Sequence, residues 1–191
     1  MEKARIRKTM IVLAFYTEGT PYENEAKSWE ESYSSCEFFI VRTPSTGSWE
    51  TNCALKPKIL QSALKQLKDD ILYVDIDSRL LRPLPPIKHP EVPGLCWWNA
   101  YFNNYERELL SGTIYIPNNE AGVTLLDLWV EEQARTPEVW DQKTLQKVVE
   151  TNKIPHDTLG YEWISVADRI EVENPIIHHT QASRKYKKDI K

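Results

Sequence analysis

Short apolar runs that alternate with helical stripes are the feature that most restricts the fold of this chain. Residues 10–15 and 71–74 are continuous apolar runs of the length expected for buried strands. A helix opening at Lys56-Pro57-Lys58 precedes the second run, and its apolar stripe consists of Leu60, Ala63, Leu64 and Leu67. This alternation predicts an α/β fold with a mostly parallel central sheet flanked by helices.

The same alternation extends over the whole chain. Residues 37–42 are a further strand candidate, preceded by Tyr22, Ala26, Trp29 and Tyr33 at helical spacing. In the second half we expect strands at 95–99, 112–116, 161–166 and 170–172, and helices over 121–135 and from Asp141 onwards. A length of 191 residues fits a single compact catalytic domain, with a charged N-terminal end at 1–8 and a basic C-terminal tail at 184–191.

Composition excludes several classes of protein. A net charge of −4 argues against a protein whose main work is coating nucleic acid. Cys36, Cys53 and Cys96 are odd in number and have no CxxC spacing, which is typical of reduced thiols. The apolar run near the N-terminus is too short and too strand-like for a secretory signal, and no stretch has the length of a transmembrane segment. We therefore expect a cytoplasmic protein.

Asp75-Ile76-Asp77 follows directly after the apolar run 71–74. In an open α/β sheet, ligands bind beyond the carboxyl ends of the strands, and residues two apart on an extended chain point to the same side. Two converging carboxylates do not both stay ionised without a cation or a proton between them. The pair therefore indicates a site for Mg²⁺ or Mn²⁺, which could hold a diphosphate as it leaves. A solvated acidic turn is the alternative.

Five segments, in the correct order, resemble the glycosyltransferases with the A-type fold, which use nucleotide-diphosphate sugars. They are the metal-binding strand at 71–78, the helix before it at 56–60, the sugar-lining strand at 111–116, the Asp-Gln pair at 140–142, and the C-terminal histidine segment at 176–179, as in glycogenin-like enzymes. The resemblance implies a metal-dependent enzyme that transfers a sugar from a UDP-sugar to an acceptor hydroxyl, with retention. The sequence after the histidines departs from the Gly-x-x-Lys-Pro-Trp pattern of glycogenin-like proteins.

The resemblance also implies a role for individual residues. The metal ligands would be Asp75, Asp77 and His178, with His179 as the alternative histidine, and this mixed set favours Mn²⁺ over Mg²⁺. The nucleotide would contact Phe15, Tyr16, Thr17, Lys58, Asp75, Arg184 and Lys185. Asp141 would lie beside the anomeric carbon, with Gln142 on the sugar. The sugar or acceptor groove would include Trp97, Trp98, Asn99, Ser111 and Gly112.

Two other functions are consistent with the Asp-x-Asp segment. A haloacid-dehalogenase-type phosphatase also carries Asp-x-Asp after an apolar strand, although near its N-terminus and without an arginine at the position of Arg79. A non-catalytic module that binds a nucleotide sugar is the other alternative. The acceptor stays open among a glycan, a small molecule, a protein and a hydroxylated base in DNA.

Overall fold

The computed structural model describes residues 10–99 and 107–187. Its first half contains β1 (Met10–Glu18), α1 (Glu23–Tyr33), β2 (Phe38–Pro44), α2 (Trp49–Cys53), α3 (Lys56–Leu67), β3 (Asp70–Val74) and β4 (Ser78–Leu80). Its second half contains β5 (Gly94–Asn99), β6 (Arg107–Ile116), α4 (Glu120–Arg135), α5 (Asp141–Asn152), β7 (Asp157–Leu159), β8 (Ser165–Val166), β9 (Ile177–His179) and α6 (Ala182–Tyr186). The charged end 1–8 and residues 188–191 of the basic tail lie outside the described residues.

The central sheet has six strands in the order β2-β1-β3-β6-β5-β7. β1 pairs in parallel with β2 and β3, and β5 pairs in parallel with β7. Strand β6 is antiparallel to both of its neighbours, so five of the six described strands run in the same direction. The prediction of an α/β fold with a mostly parallel sheet is confirmed.

A second, smaller sheet has the order β4-β9-β8. β9 is antiparallel to β4 and parallel to β8. Its pairing sets Ser78 opposite His179, so the segment that follows β3 is bonded to the C-terminal part of the chain. The small sheet was not predicted, because strands of two or three residues are too short for a hydrophobic period to show.

Alternate side chains of the central strands enter two separate hydrophobic clusters. Val12 of β1 and Leu72 of β3 belong to one cluster, whereas their neighbours Leu13 and Tyr73 belong to the other. This is the period of two that places successive side chains on opposite faces of a sheet. Helices α3, α4 and α5 contribute to the second cluster, and α1 with the small sheet contributes to the first. Both faces of the sheet are thereby covered.

The chain after α5 differs most from the predicted boundaries. Residues 161–166 were expected to be one strand but form a 3-10 turn, Tyr161–Trp163, followed by β8. Within the described part of the chain, residues 170–172 contribute only an isolated bridge between Ile170 and Val166. None of the helices in the two described ranges is both long enough and apolar enough to cross a membrane.

Candidate functional site

A cavity of about 340 Å³ lies at the carboxyl ends of β1 and β3. This volume is within the range of small-molecule sites. The two strands bring residues 15–17 and Asp75-Ile76-Asp77 to the cavity, α3 and α5 bring their first residues, and β6 brings Ser111 and Gly112. The remaining lining residues include Tyr22, Trp49, Asn52, Cys53, Tyr73, Glu108, Trp140, Gln142, Arg169, His179, Gln181, Ser183 and Lys187.

Three potential metal ligands meet in this cavity. One ligand atom each of Asp75, Asp77 and His179 lies within 4.8 Å of the others. The side chain of Asp77 is also bound to the C-terminal segment, because its Oδ2 accepts a hydrogen bond of 2.7 Å from the backbone N–H of Ala182, 105 residues further along the chain. The cluster is therefore formed by parts of the chain that are distant in sequence.

A neighbouring hydroxyl group fixes the tautomer of His179. The Thr113 hydroxyl donates to the carbonyl oxygen of Trp163 at 2.9 Å, and its single proton is then used. Its contact of 3.0 Å with Nε2 of His179 must therefore be one in which Nε2–H donates. The lone pair is left on Nδ1, which lies 4.0 Å from Oδ1 of Asp77. A ring nitrogen bonded in this way to a second group is typical of metal-ligating histidines.

His178 lies in a different environment from His179. Its Nδ1 is 3.2 Å from Oγ of Ser165, and its register partner on β4 is Arg79. Successive side chains of a strand point to opposite sides, so only one of the two histidines can face the aspartates. The structure places His179, the alternative histidine, beside the aspartates, whereas His178 does not line the cavity.

Gly112 makes room for two of the three potential ligands. A Cβ atom at this position would lie 3.0 Å from Cε1 and 3.2 Å from Nδ1 of His179, and 3.1 Å from Oδ2 of Asp75. All three distances are shorter than ordinary van der Waals contact. The absence of a side chain at Gly112 thus permits Asp75 and His179 to approach one another.

A buried lysine connects Asp75 to Asp141. Lys56 is 4 % exposed, and its Nζ lies 3.0 Å from Oδ1 of Asp75 and 2.6 Å from Oδ2 of Asp141. The same ammonium donates to the Ser111 carbonyl at 3.1 Å, and the Ser111 hydroxyl donates to Oδ2 of Asp141 at 2.7 Å. Because a buried charge is costly unless it is paired, this network fixes the position of all of its members.

Burial and neighbouring charges give the acidic groups different proton affinities. Burial, and after it the charge of Asp75, raises the pKa of Asp77 to about 7. Burial alone would raise the pKa of Asp75, but Lys56 and then His179 outweigh it and hold that pKa below its usual value. Burial raises the pKa of Asp141, although Lys56 opposes the shift. Burial lowers the pKa of His179 to about 4, so its imidazole is neutral at pH 7.

The fold is shared with a solved structure of low sequence identity. A crystal structure of a glycosyltransferase involved in the glycosylation of the major capsid of PBCV-1 superimposes with a TM-score of 0.71 at 15 % identity, over 93 % of this chain and 96 % of that chain. The chain shares the fold of that glycosyltransferase. No model of a protein family matches the sequence, and no curated protein matches it. The predicted A-type fold is confirmed.

The predicted site residues divide into two groups. Those that line the cavity are Phe15, Tyr16, Thr17, Asp75, Asp77, Ser111, Gly112, Asp141 and Gln142. Those that lie elsewhere in the described structure are Lys58, Trp97, Trp98, Asn99, His178, Arg184 and Lys185. Arg184, for example, is 3.8 Å from Asp168, and the Trp98 ring lies 3.9 Å below the Arg169 guanidinium. None of these seven residues lines the cavity.

Several cavity residues were not predicted. Lys56 has a recognisable signal, because it precedes Leu60 by four residues and therefore lies on the apolar stripe of α3, whereas Lys58 does not. Trp49, Trp140 and Lys187 have no comparable signal, since they come from a five-residue helix, a loop and the end of the C-terminal segment.

Proposed function

We propose that the chain is a metal-dependent glycosyltransferase that transfers a sugar from a nucleotide-diphosphate sugar, specifically a UDP-sugar, to an acceptor hydroxyl with retention. The observation that carries this proposal is the convergence of Asp75, Asp77 and His179 with Lys56 and Asp141 in one cavity. The shared fold supports it, because the related structure is that of a glycosyltransferase.

The residues fit a divalent cation. Two carboxylates and an imidazole, whose Nδ1 lone pair is free of the bond to Thr113, are the donor set. The neutral state of His179 at pH 7 is the state that binds metal, and Gly112 leaves the space that the ligands need. A set of mixed oxygen and nitrogen donors favours Mn²⁺, with Mg²⁺ as the alternative. When bound, such an ion would neutralise charge on the departing diphosphate.

Asp141 is the proposed group next to the transferred sugar. Lys56 and Ser111 both bind its Oδ2, so the carboxylate cannot turn freely, and Lys56 opposes the effect of burial on its pKa. A carboxylate held in place in this way can stabilise positive charge that develops at the anomeric carbon of a retaining reaction. Gln142 lines the same cavity, where its amide donates to Oε1 of Glu108 at 2.7 Å, and in this proposal it hydrogen-bonds the sugar.

The nucleotide is proposed to lie between β1 and the C-terminal segment. Phe15, Tyr16 and Thr17 would hold the base, and Asp75 the ribose or the metal. Lys187 replaces Arg184 and Lys185 as the proposed phosphate ligand, because it lines the cavity and a lysine ammonium is a suitable point charge for phosphate.

Calorimetry with UDP tests the donor side. We expect UDP to bind in the presence of Mn²⁺ and to bind about tenfold more weakly without metal or to the variant Asp77→Asn. The matched control is Asp127→Asn, the same chemical change at an exposed residue whose carboxylate contacts Gln61 outside the cavity. When the protein is incubated with Mn²⁺ and each of a panel of UDP-sugars, it should release UDP slowly from its donor. The UDP-sugar from which UDP is released is thereby identified as the donor.

The outcomes separate the proposal from its alternatives. The proposal is contradicted when UDP gives no binding heat with or without Mn²⁺ and Asp77→Asn changes nothing. Binding of UDP-sugars without any release of UDP, even when acceptors are supplied, would instead support the non-catalytic module. Hydrolysis of a generic phosphomonoester, lost in Asp75→Asn, would support the phosphatase.

A further inference from the structure

Two of the seven tryptophans lie outside the hydrophobic clusters of the described structure. The other five belong to those clusters or pack against them, namely Trp29, Trp97, Trp98, Trp129 and Trp163. Trp49 and Trp140 are instead half-buried and line the cavity. Core packing therefore accounts for five of these large side chains but not for this pair.

The two indole rings lie next to one another in the cavity wall and form one aromatic surface beside Asp141. Their centroids are 6.3 Å apart and their planes are inclined by 52°. Trp49 is the first residue of α2, and its Nε1–H donates to the hydroxyl of Tyr22 at 3.1 Å, which fixes the ring. Trp140 directly precedes Asp141 in the chain. The surface is thus positioned next to the proposed catalytic carboxylate.

Charged groups lie over and beside this aromatic surface. The Nζ atom of Lys187 lies 4.2 Å from the ring centroid of Trp49 and 5.8 Å from that of Trp140, and Glu50 holds it at 2.7 Å. Nζ of Lys143 lies 5.8 Å from the ring centroid of Trp140. The two indole rings therefore occur together with two ammonium donors and one carboxylate acceptor.

This combination matches the chemistry of a sugar ring. A pyranose has a face of C–H groups that packs on an indole and a rim of hydroxyls that bonds to charged side chains. We propose that Trp49 and Trp140 bind a saccharide acceptor, so that its hydroxyl is presented beside Asp141; this assignment rests on the proposed function. It selects a saccharide from the acceptor classes that the sequence left open. DNA is disfavoured, because duplex binding needs several phosphate contacts and the chain carries a net charge of −4.

Saturation-transfer NMR with simple glycosides tests the saccharide surface. The probes are the α- and β-methyl glycosides of glucose, galactose, mannose and N-acetylglucosamine, each added with and without UDP and Mn²⁺. We expect at least one glycoside to bind, with signal concentrated on the protons of one ring face. Trp49→Ala and Trp140→Ala should weaken glycoside binding at least tenfold and UDP binding with Mn²⁺ severalfold less, because Lys187, the proposed phosphate ligand, lies over both rings. The control Phe39→Ala removes an aromatic ring that is 49 % exposed on β2, and it should change neither affinity.

Other outcomes overturn the assignment. It is wrong when no glycoside binds, or when both tryptophan variants retain wild-type glycoside affinity. It is also wrong when the variants lose UDP affinity as much as glycoside affinity, because the rings then belong to the nucleotide site. If an alanine variant does not fold, Trp49→Phe or Trp140→Phe replaces it. These variants are expected to weaken glycoside binding about threefold. Failure of the proposed function is seen separately, in the UDP arm alone.

Discussion

Replacing Gly112 by alanine tests the metal site with a single added methyl group. The new Cβ would lie 3.0 to 3.2 Å from two ring atoms of His179 and a carboxylate oxygen of Asp75, so these groups must move by a few tenths of an ångström. A metal site tolerates errors of about 0.2 Å in its ligand distances. The substitution therefore displaces two of the three proposed ligands at once.

The size of the effect follows from this displacement. We expect Gly112→Ala to weaken Mn²⁺ binding by about 10- to 100-fold, the loss seen when groups that support metal ligands are disturbed. The extra methyl group in a packed site should also cost about 1–3 kcal/mol of unfolding free energy. For a chain of 191 residues, that cost lowers Tm by about 2–12 °C.

Gly94→Ala is a matched control for crowding alone. Its Cβ would lie 3.0 Å from Cδ2 of Leu159 and 3.1 Å from Cβ of Tyr115, and Gly94 does not line the cavity. Scanning calorimetry should show a comparable decrease in Tm for both variants, and titration calorimetry should show weakened Mn²⁺ binding for Gly112→Ala only. Wild-type Mn²⁺ affinity in Gly112→Ala, or an equal loss in Gly94→Ala, would refute the argument.

Three further perturbations test other parts of the site. Lys56→Met leaves two carboxylates unpaired and should lower the unfolding free energy by about 3–5 kcal/mol in urea denaturation, and a loss below about 1 kcal/mol would contradict the network described here. Thr113→Val removes the acceptor for Nε2–H of His179 and should weaken Mn²⁺ about tenfold by titration calorimetry, with unchanged affinity as the contrary result. Affinity for Mn²⁺ should rise with pH, because Asp77, whose pKa burial and then Asp75 raise to about 7, must lose its proton first. Because the pKa of His179 is about 4, His179 stays neutral between pH 6 and pH 8, and only Asp77 changes its protonation. We therefore expect Mn²⁺ affinity to be about tenfold lower at pH 6 than at pH 8. A flat profile would exclude proton competition at Asp77.

The central sheet could be predicted because its strands and helices carry strong periodic signals. The apolar run 71–74 and the stripe of α3 identified β3 and its preceding helix, and the Asp-x-Asp segment was correctly placed at the carboxyl end of that strand. The small sheet and the C-terminal helix could not be predicted in the same way. The strands of the small sheet are two or three residues long, and they pair with residues that are distant in the sequence.

At the site, the sequence did not show which of two adjacent or near-adjacent residues faces the cavity. Which of His178 and His179 faces the aspartates depends on the phase of β9, and a three-residue strand has no repeat from which to read that phase. Lys56 and Lys58 also lie on different sides of their element, but in α3 the apolar stripe shows which of the two is buried. Of the two, only Lys58 was predicted as a site residue, whereas Lys56 is the lysine that lies on the stripe and is buried between Asp75 and Asp141.

The pairing of Ser78 with His179 has a consequence for the order in which the protein matures. During synthesis, Asp75 and Asp77 emerge about a hundred residues before His179, so the nascent chain first carries two of the three proposed cation ligands. The third is added only when β9 pairs with β4. A cation bound by all three would therefore stabilise this pairing, and added Mn²⁺ should slow amide exchange in β9 more than in β1.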